Sequence, residues 1–247
     1  MMNKEVLVVQ NLTKSFKKRK AINDVSFTVK EGDICGFIGP NGAGKTTMIR
    51  MLTGLITPSS GSVSINSFDV TKDIENALKY IGAIVENPIF FEYLTGENAL
   101  LNLAMLNNDM SKKERQEKVE EVIELVGLKG REKDKIKTYS LGMKQRLGIA
   151  QALLNNPKII LLDEPTNGLD PTGMIEFRNL ILKLNKENKI TFFISSHILD
   201  ELQRICTDLV IIKEGKLAWK GATNELLNKV NETDRLEDVY VKLMKAN

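Results

Sequence analysis

The sequence predicts an α/β fold, a sheet-and-helix core that carries an antiparallel β layer at its N-terminus and an inserted α-helical subdomain. Three observations predict it. Short, mostly apolar runs at 34–38, 81–85, 158–164 and 191–196 have the length and composition of strands buried on both faces. Residues 25–29 instead alternate apolar with polar, as a half-buried strand does, and pair naturally with an apolar run at 6–9. From 95 to about 127 apolar residues recur at helical spacing, Leu100, Leu101, Leu103, Ala104 and Leu106 and then Val119, Val122, Ile123, Leu125 and Val126, with no strand between them.

The elements follow in order. Strands at 6–9 and 25–29 open the antiparallel layer, and the basic stretch 14–20 between them, read as a loop, carries Phe16. The buried strand at 34–38 runs into a glycine-rich turn and a helix over 46–52. A turn at Thr57, Pro58, Ser59, Ser60 and Gly61 returns the chain to an alternating strand at 62–65. A short helix is expected over 73–80, then a buried strand at 81–85 that Pro88 terminates. Two helices separated by the polar linker 107–113 form the inserted lobe, and a basic stretch at 129–137 leads to a helix continuing over 147–154. Further strands are expected at 158–164, 191–196 and 209–212, with helices over 174–186 and 198–207. A hairpin turn at 213–216 leads to Trp219, a packing residue. The tail from 225 to 244 has helical periodicity and is expected to dock on the core.

With 247 residues, the chain is long enough for one large domain or a domain with an inserted lobe. Its 35 Lys and Arg against 32 Asp and Glu leave a formal charge of +3, too balanced to point to nucleic acid. Cys35 and Cys206 fall in apolar surroundings and read as buried free thiols, which suits a reducing cytoplasm. No apolar run is long enough to cross a bilayer or serve as a signal peptide, so membrane work is expected to need a partner.

The chemistry starts at Gly39-Pro40-Asn41-Gly42-Ala43-Gly44-Lys45-Thr46-Thr47, a full match to the phosphate-loop pattern G-x-x-x-x-G-K-[ST] in the strand, loop, helix context it requires. Glycines let the backbone approach phosphate oxygens, so that amide N–H groups and a helix N-terminus face the anion. Lys45 is placed between the β- and γ-phosphates, the Thr46 hydroxyl on Mg²⁺, and Thr47 at the α-phosphate. Asp163 and Glu164 end a buried strand at the edge where open α/β sheets bind ligands. Asp163 is assigned to the Mg²⁺ shell, and Glu164 to polarising the attacking water. His197, the one histidine, ends another such strand beside them. Phe16, set among lysines, either stacks on a nucleobase or rests on the strand layer.

Taken together, these residues resemble the nucleotide-binding subunit of ATP-binding cassette transporters over nearly the whole chain. Phe16 matches the adenine-stacking aromatic and Gly39 to Thr47 the Walker A loop. The stretch from Ser140 through Gly142 to Gln145 matches the signature, Ile159 to Glu164 Walker B, Gly168-Leu169-Asp170 the D-loop, and His197 the switch histidine. The resemblance implies a P-loop ATPase core of RecA-like type over 1–86 and 157–221, a helical subdomain at 87–156 carrying the signature, and a helical tail at 222–247. It also implies ATP and Mg²⁺ as ligands, with Phe16, Gly39, Asn41, Gly42, Gly44, Lys45, Thr46, Thr47, Ser140, Gly142, Gln145 and Asp170 around the nucleotide. Two copies would face head to tail over two ATP molecules and drive a membrane permease from the cytoplasmic face, with no nucleic-acid partner.

The signature departs from L-S-G-G-Q, reading Tyr139-Ser140-Leu141-Gly142-Met143, and Glu86 stands where most of the family has a metal-contacting glutamine. Both departures resemble the subgroup of lantibiotic self-immunity and bacitracin-resistance ATPases. A cassette ATPase acting on DNA or the ribosome would carry a long coiled coil after Walker A or a second cassette, and this chain has neither. An ordinary exporter subunit for another cargo stays open. Phe90, Phe91 and Tyr93 read either as a docking edge for a permease helix or as lobe core.

Overall fold

The computed structural model describes residues 4–228 together with 240, 241, 243 and 244. Two long strands open the chain, β1 (Glu5–Phe16) and β2 (Arg19–Lys30), and β3 (Ile34–Ile38) leads into α1 (Lys45–Leu52). Strands β4 (Ser60–Ile65) and β5 (Phe68–Asp69), helix α2 (Ile74–Leu78) and strand β6 (Ile81–Ile84) follow. Three helices then come without a strand: α3 (Gly96–Ala104), α4 (Lys112–Leu125) and α5 (Leu141–Leu153). The chain continues through β7 (Ile159–Asp163), α6 (Pro171–Asn188), β8 (Thr191–Ser196), α7 (Leu199–Ile205), β9 (Asp208–Lys213), β10 (Lys216–Ala222) and α8 (Thr223–Asn228). Most of the tail expected to be helical beyond α8 lies outside the described residues, although Tyr240, Leu243 and Met244 pack against the core.

The main sheet has the order β10-β9-β3-β8-β7-β6, parallel except for β10, and the second sheet is the antiparallel set β2-β1-β4-β5. Strands β3, β7 and β8 are buried at every residue, as their apolar runs require. Because strand side chains alternate, each main-sheet strand feeds two cores. Cys35, Phe37, Leu161, Phe193 and Val210 face α1 and the antiparallel sheet. Ile34, Ile38, Ile160, Leu162, Phe192 and Ile194 face the helices from α3 onward.

Phe27, Phe37 and Phe193 tie the two sheets together, with ring centroids 5.2 to 6.0 Å apart and all three rings fully buried. On the opposite face β6 meets α5 closely enough that a Cβ on Gly82 would lie 2.5 Å from the Ala152 carbonyl oxygen. That contact holds the helix that begins at Ser140 against the sheet. Cys35 and Cys206 are buried free thiols, and burial pushes both well above the ordinary thiol range.

One expectation about this region is corrected. The basic stretch 14–20 is the end of a hairpin, with only Lys17 and Lys18 in the turn, so Phe16 pairs directly with Arg19 across the strands. Strand β1 is also much longer than 6–9, because register shifts between Val9 and Leu12 interrupt the alternation a sequence reading follows.

Candidate active site

The site forms where β3, β7 and β8 end side by side. After Ile38 the chain turns through Gly39 to Gly44 before α1 begins. Gly44 has φ of 108°, and a Cβ there would stand 2.5 Å from the Ala21 carbonyl oxygen, so both conformation and space demand glycine. The N–H groups of the loop and of the first turn of α1 are left without helical partners, which favours an anion at this point. Lys45 is only 6% exposed; its Nζ donates to the Gly39 carbonyl at 2.7 Å and lies 3.1 Å from Glu164 Oε1.

Asp163 closes β7 and is 4% exposed, and the Ser195 hydroxyl donates to its Oδ1. Glu164 then takes a left-handed backbone, φ 48°, with its N–H donating to the Ser195 carbonyl at 3.1 Å. An L-residue adopts that conformation at a cost of about 1–2 kcal/mol. The turn brings the carboxylate back over the sheet edge, where its Oε2 sits 2.7 Å from His197 Nδ1 while its other oxygen faces Lys45. Glu164 therefore bridges the phosphate-loop lysine and the histidine.

Of the predicted residues, Phe16, Asn41, Gly42, Gly44, Lys45, Thr46, Thr47, Glu164 and His197 line one open cavity of about 560 Å³. Phe16 is half exposed, and the Lys14 ammonium sits 5.2 Å from the centre of its ring. Arg19 and Asn167 line the same cavity, and sequence reasoning singled out neither. It also passed over Ser195, a fully buried hydroxyl that holds Asp163. A hydroxyl beside that of Ser196 at the tip of a buried strand was its only signal.

Ser140, Gly142 and Asp170 lie elsewhere, lining a second groove of about 440 Å³ between the starts of α5 and α6. Ser140 caps α5, accepting from Met143 N–H at 3.2 Å, and Asp170 caps α6, accepting from Gly173 N–H at 2.8 Å. Gln145 is a correction. It is fully buried inside the lobe with both amide atoms unpartnered, because the helical period turns it inward, so it is out of reach of a nucleotide on this face. Glu86, expected at the metal, follows β6 with φ of 66°, pairs with Arg50 of α1 and does not line the cavity. Ile89, Phe91 and Tyr93 are largely exposed, whereas Phe90 packs against the core. The sequence alternatives thus divide between these neighbours.

The family described as ABC transporter matches residues 22–167, more than half of the chain. The chain belongs to this family. As a cassette ATPase, it binds ATP and hydrolyses it in the service of transport. It is 47% identical to the bacitracin transport ATP-binding protein BcrA of Bacillus licheniformis, over 86% of this chain and 68% of that one. It is 39% identical to the lantibiotic transport ATP-binding protein SrtF of Streptococcus pyogenes, over 90% of this chain and 96% of that one. Among solved structures, it is similar to an ATP-binding cassette in a dimeric post-hydrolysis state bound to ADP and Pi. That match has 27% identity and a TM-score of 0.77, over 88% of this cassette and 98% of that chain.

Proposed function

We propose that this cassette ATPase powers a peptide-antibiotic exporter of the bacitracin or lantibiotic type. The observation that carries the reading is the bridged Lys45, Glu164 and His197 set at the edge of the phosphate-loop cavity. Its cargo class is supported by the 47% identity to the bacitracin transport protein together with Glu86 and the Ser-Leu-Gly-Met signature. The reading includes a head-to-tail pair of cassettes, a membrane permease docked at the exposed Ile89, Phe91 and Tyr93, and a place on the cytoplasmic face of the membrane. It also includes the division into a core of 1–86 and 157–221, an inserted helical part of 87–156 and a tail of 222–247.

In the reaction the loop amides and Lys45 hold the β- and γ-phosphates, and Phe16 stacks on the base. Glu164 orients a water for in-line attack and accepts its proton, and His197 steadies Glu164 and contacts the γ-phosphate. Lys45 must exchange its pairing with Glu164 for the incoming phosphates, which frees Glu164 as the nucleotide seats. Mg²⁺ fits the oxygen donors present, the Thr46 hydroxyl in the cavity and the buried Asp163 carboxylate held by Ser195. Bound there with the nucleotide, it would offset charge on the phosphates.

The test replaces Glu164 by Gln in the cell that encodes the protein. Turnover of the purified variant is expected to fall about a hundred- to ten-thousandfold with ATP binding kept. The cell is expected to become more sensitive to bacitracin-like or lantibiotic peptides. Lost turnover with unchanged sensitivity to every such peptide would assign the exporter another cargo. Unchanged turnover would remove Glu164 from its role.

A further inference from the structure

We propose that Arg19 binds the phosphates of ATP, reaching them from the hairpin across the cavity from Lys45. Arg19 opens β2 and pairs in register with Phe16, so the guanidinium and the ring extend from one rung of the hairpin into the same cavity. A turn of only Lys17 and Lys18 fixes that rung. The Arg19 Nη2 donates to the Gly42 carbonyl at 3.3 Å, placing the guanidinium against the phosphate loop itself.

Charge is the second argument. Lys45 pairs with Glu164 at 3.1 Å and donates to the Gly39 carbonyl at 2.7 Å. Arg50, Arg131, Arg146 and Arg178 each have a carboxylate partner, whereas Arg115, outside the cavity, donates to the Asn107 carbonyl. Arg19 has no carboxylate within ion-pair distance among the described residues, and the Gly42 carbonyl to which its guanidinium donates is neutral. A guanidinium carries five donors in a planar fork suited to phosphate oxygens, so most of that fork remains for a ligand. Of Lys45 and Arg19, the lysine and arginine that line the cavity, Arg19 is thus the one without a carboxylate partner among the described residues.

The rival role is a brace, in which Arg19 does no more than steady the loop through Gly42. Equilibrium binding of ATP, ADP and AMP to the whole chain separates the two, using Arg19→Ala, Arg19→Lys and Arg19→Gln. Arg19→Ala is expected to weaken ATP and ADP about ten- to a hundredfold, the range of a charge-assisted hydrogen bond, and AMP far less. Saturated turnover should stay near the wild-type value while KM rises, the pattern of binding lost equally from ground and transition states. Arg19→Lys should recover part of the affinity, and Arg19→Gln, which keeps a polar donor but no charge, should recover none. Without nucleotide, melting temperatures should match wild type, with a smaller rise on adding ATP. ATP and ADP binding unchanged in Arg19→Ala, full recovery in Arg19→Gln, or an equal loss for AMP would overturn the proposal. Wild-type binding and turnover in the same series test the ATPase reading separately.

Discussion

Glu86 pairs with Arg50 in the structure and has one proposed use, at the metal. Its carboxylate rests on Arg50, but both side chains are substantially exposed, at 61% and 45%, and such a pair contributes only about 0–1 kcal/mol. We propose that so weak a latch yields to a divalent cation entering with ATP, for which a carboxylate is a stronger ligand than a carboxamide. Glu86→Gln is therefore expected to raise the Mg²⁺ concentration for half-maximal ATP hydrolysis several-fold, and to weaken Mn²⁺ binding to the ATP-loaded chain measured by electron paramagnetic resonance. Unchanged values in both would leave Glu86 as a partner of Arg50 alone. At this scale the sequence was legible where chemistry demands a residue type at a set spacing, as at Gly44, Lys45, Thr46 and the Asp163–Glu164 pair. Arg19 was hidden because it stands in a run of lysines that reads as solvated. Gln145 misled because a motif match says nothing of which way its helix turns it.

Whole strands and helices position these residues, and the aromatic stack of Phe27, Phe37 and Phe193 is what fixes the hairpin to the main sheet. Phe27 comes from the hairpin, while Phe37 and Phe193 come from the strands that deliver the phosphate loop and His197. Phe27→Ala is expected to cost about 3–5 kcal/mol of stability, read from urea unfolding, because it empties a fully buried site between two sheets. A loss under 1 kcal/mol would mean that the sheets are held elsewhere. The buried strands were readable as apolar runs and α4 by the helical spacing of Val119, Val122 and Ile123, while the capping box that starts it, Ser111 with Glu114, lay at the end of the stretch read as linker. The true length of β1 was not readable, since its bulges break the alternation over Gln10 and Asn11.

The molecule as a whole presents two separate sets of predicted site residues. One cavity holds the phosphate loop, Glu164 and His197, and the separate groove holds Ser140, Gly142 and Asp170. In this chain the two sets line separate cavities, and a solved structure with the same fold is a dimer bound to ADP and Pi. If a second copy supplies the groove, defects on opposite faces should complement each other. Lys45→Ala and Ser140→Arg are each expected to abolish turnover alone. Mixed, they form pairs in which the intact phosphate loop of one chain faces the intact Ser140 of the other, so ATP hydrolysis should return at one site per mixed pair. Were both sets to act on one nucleotide within a single chain, every site in the mixture would stay defective and turnover would not return. The mixing experiment therefore reads out, from activity alone, whether the two half-sites belong to one molecule or to two.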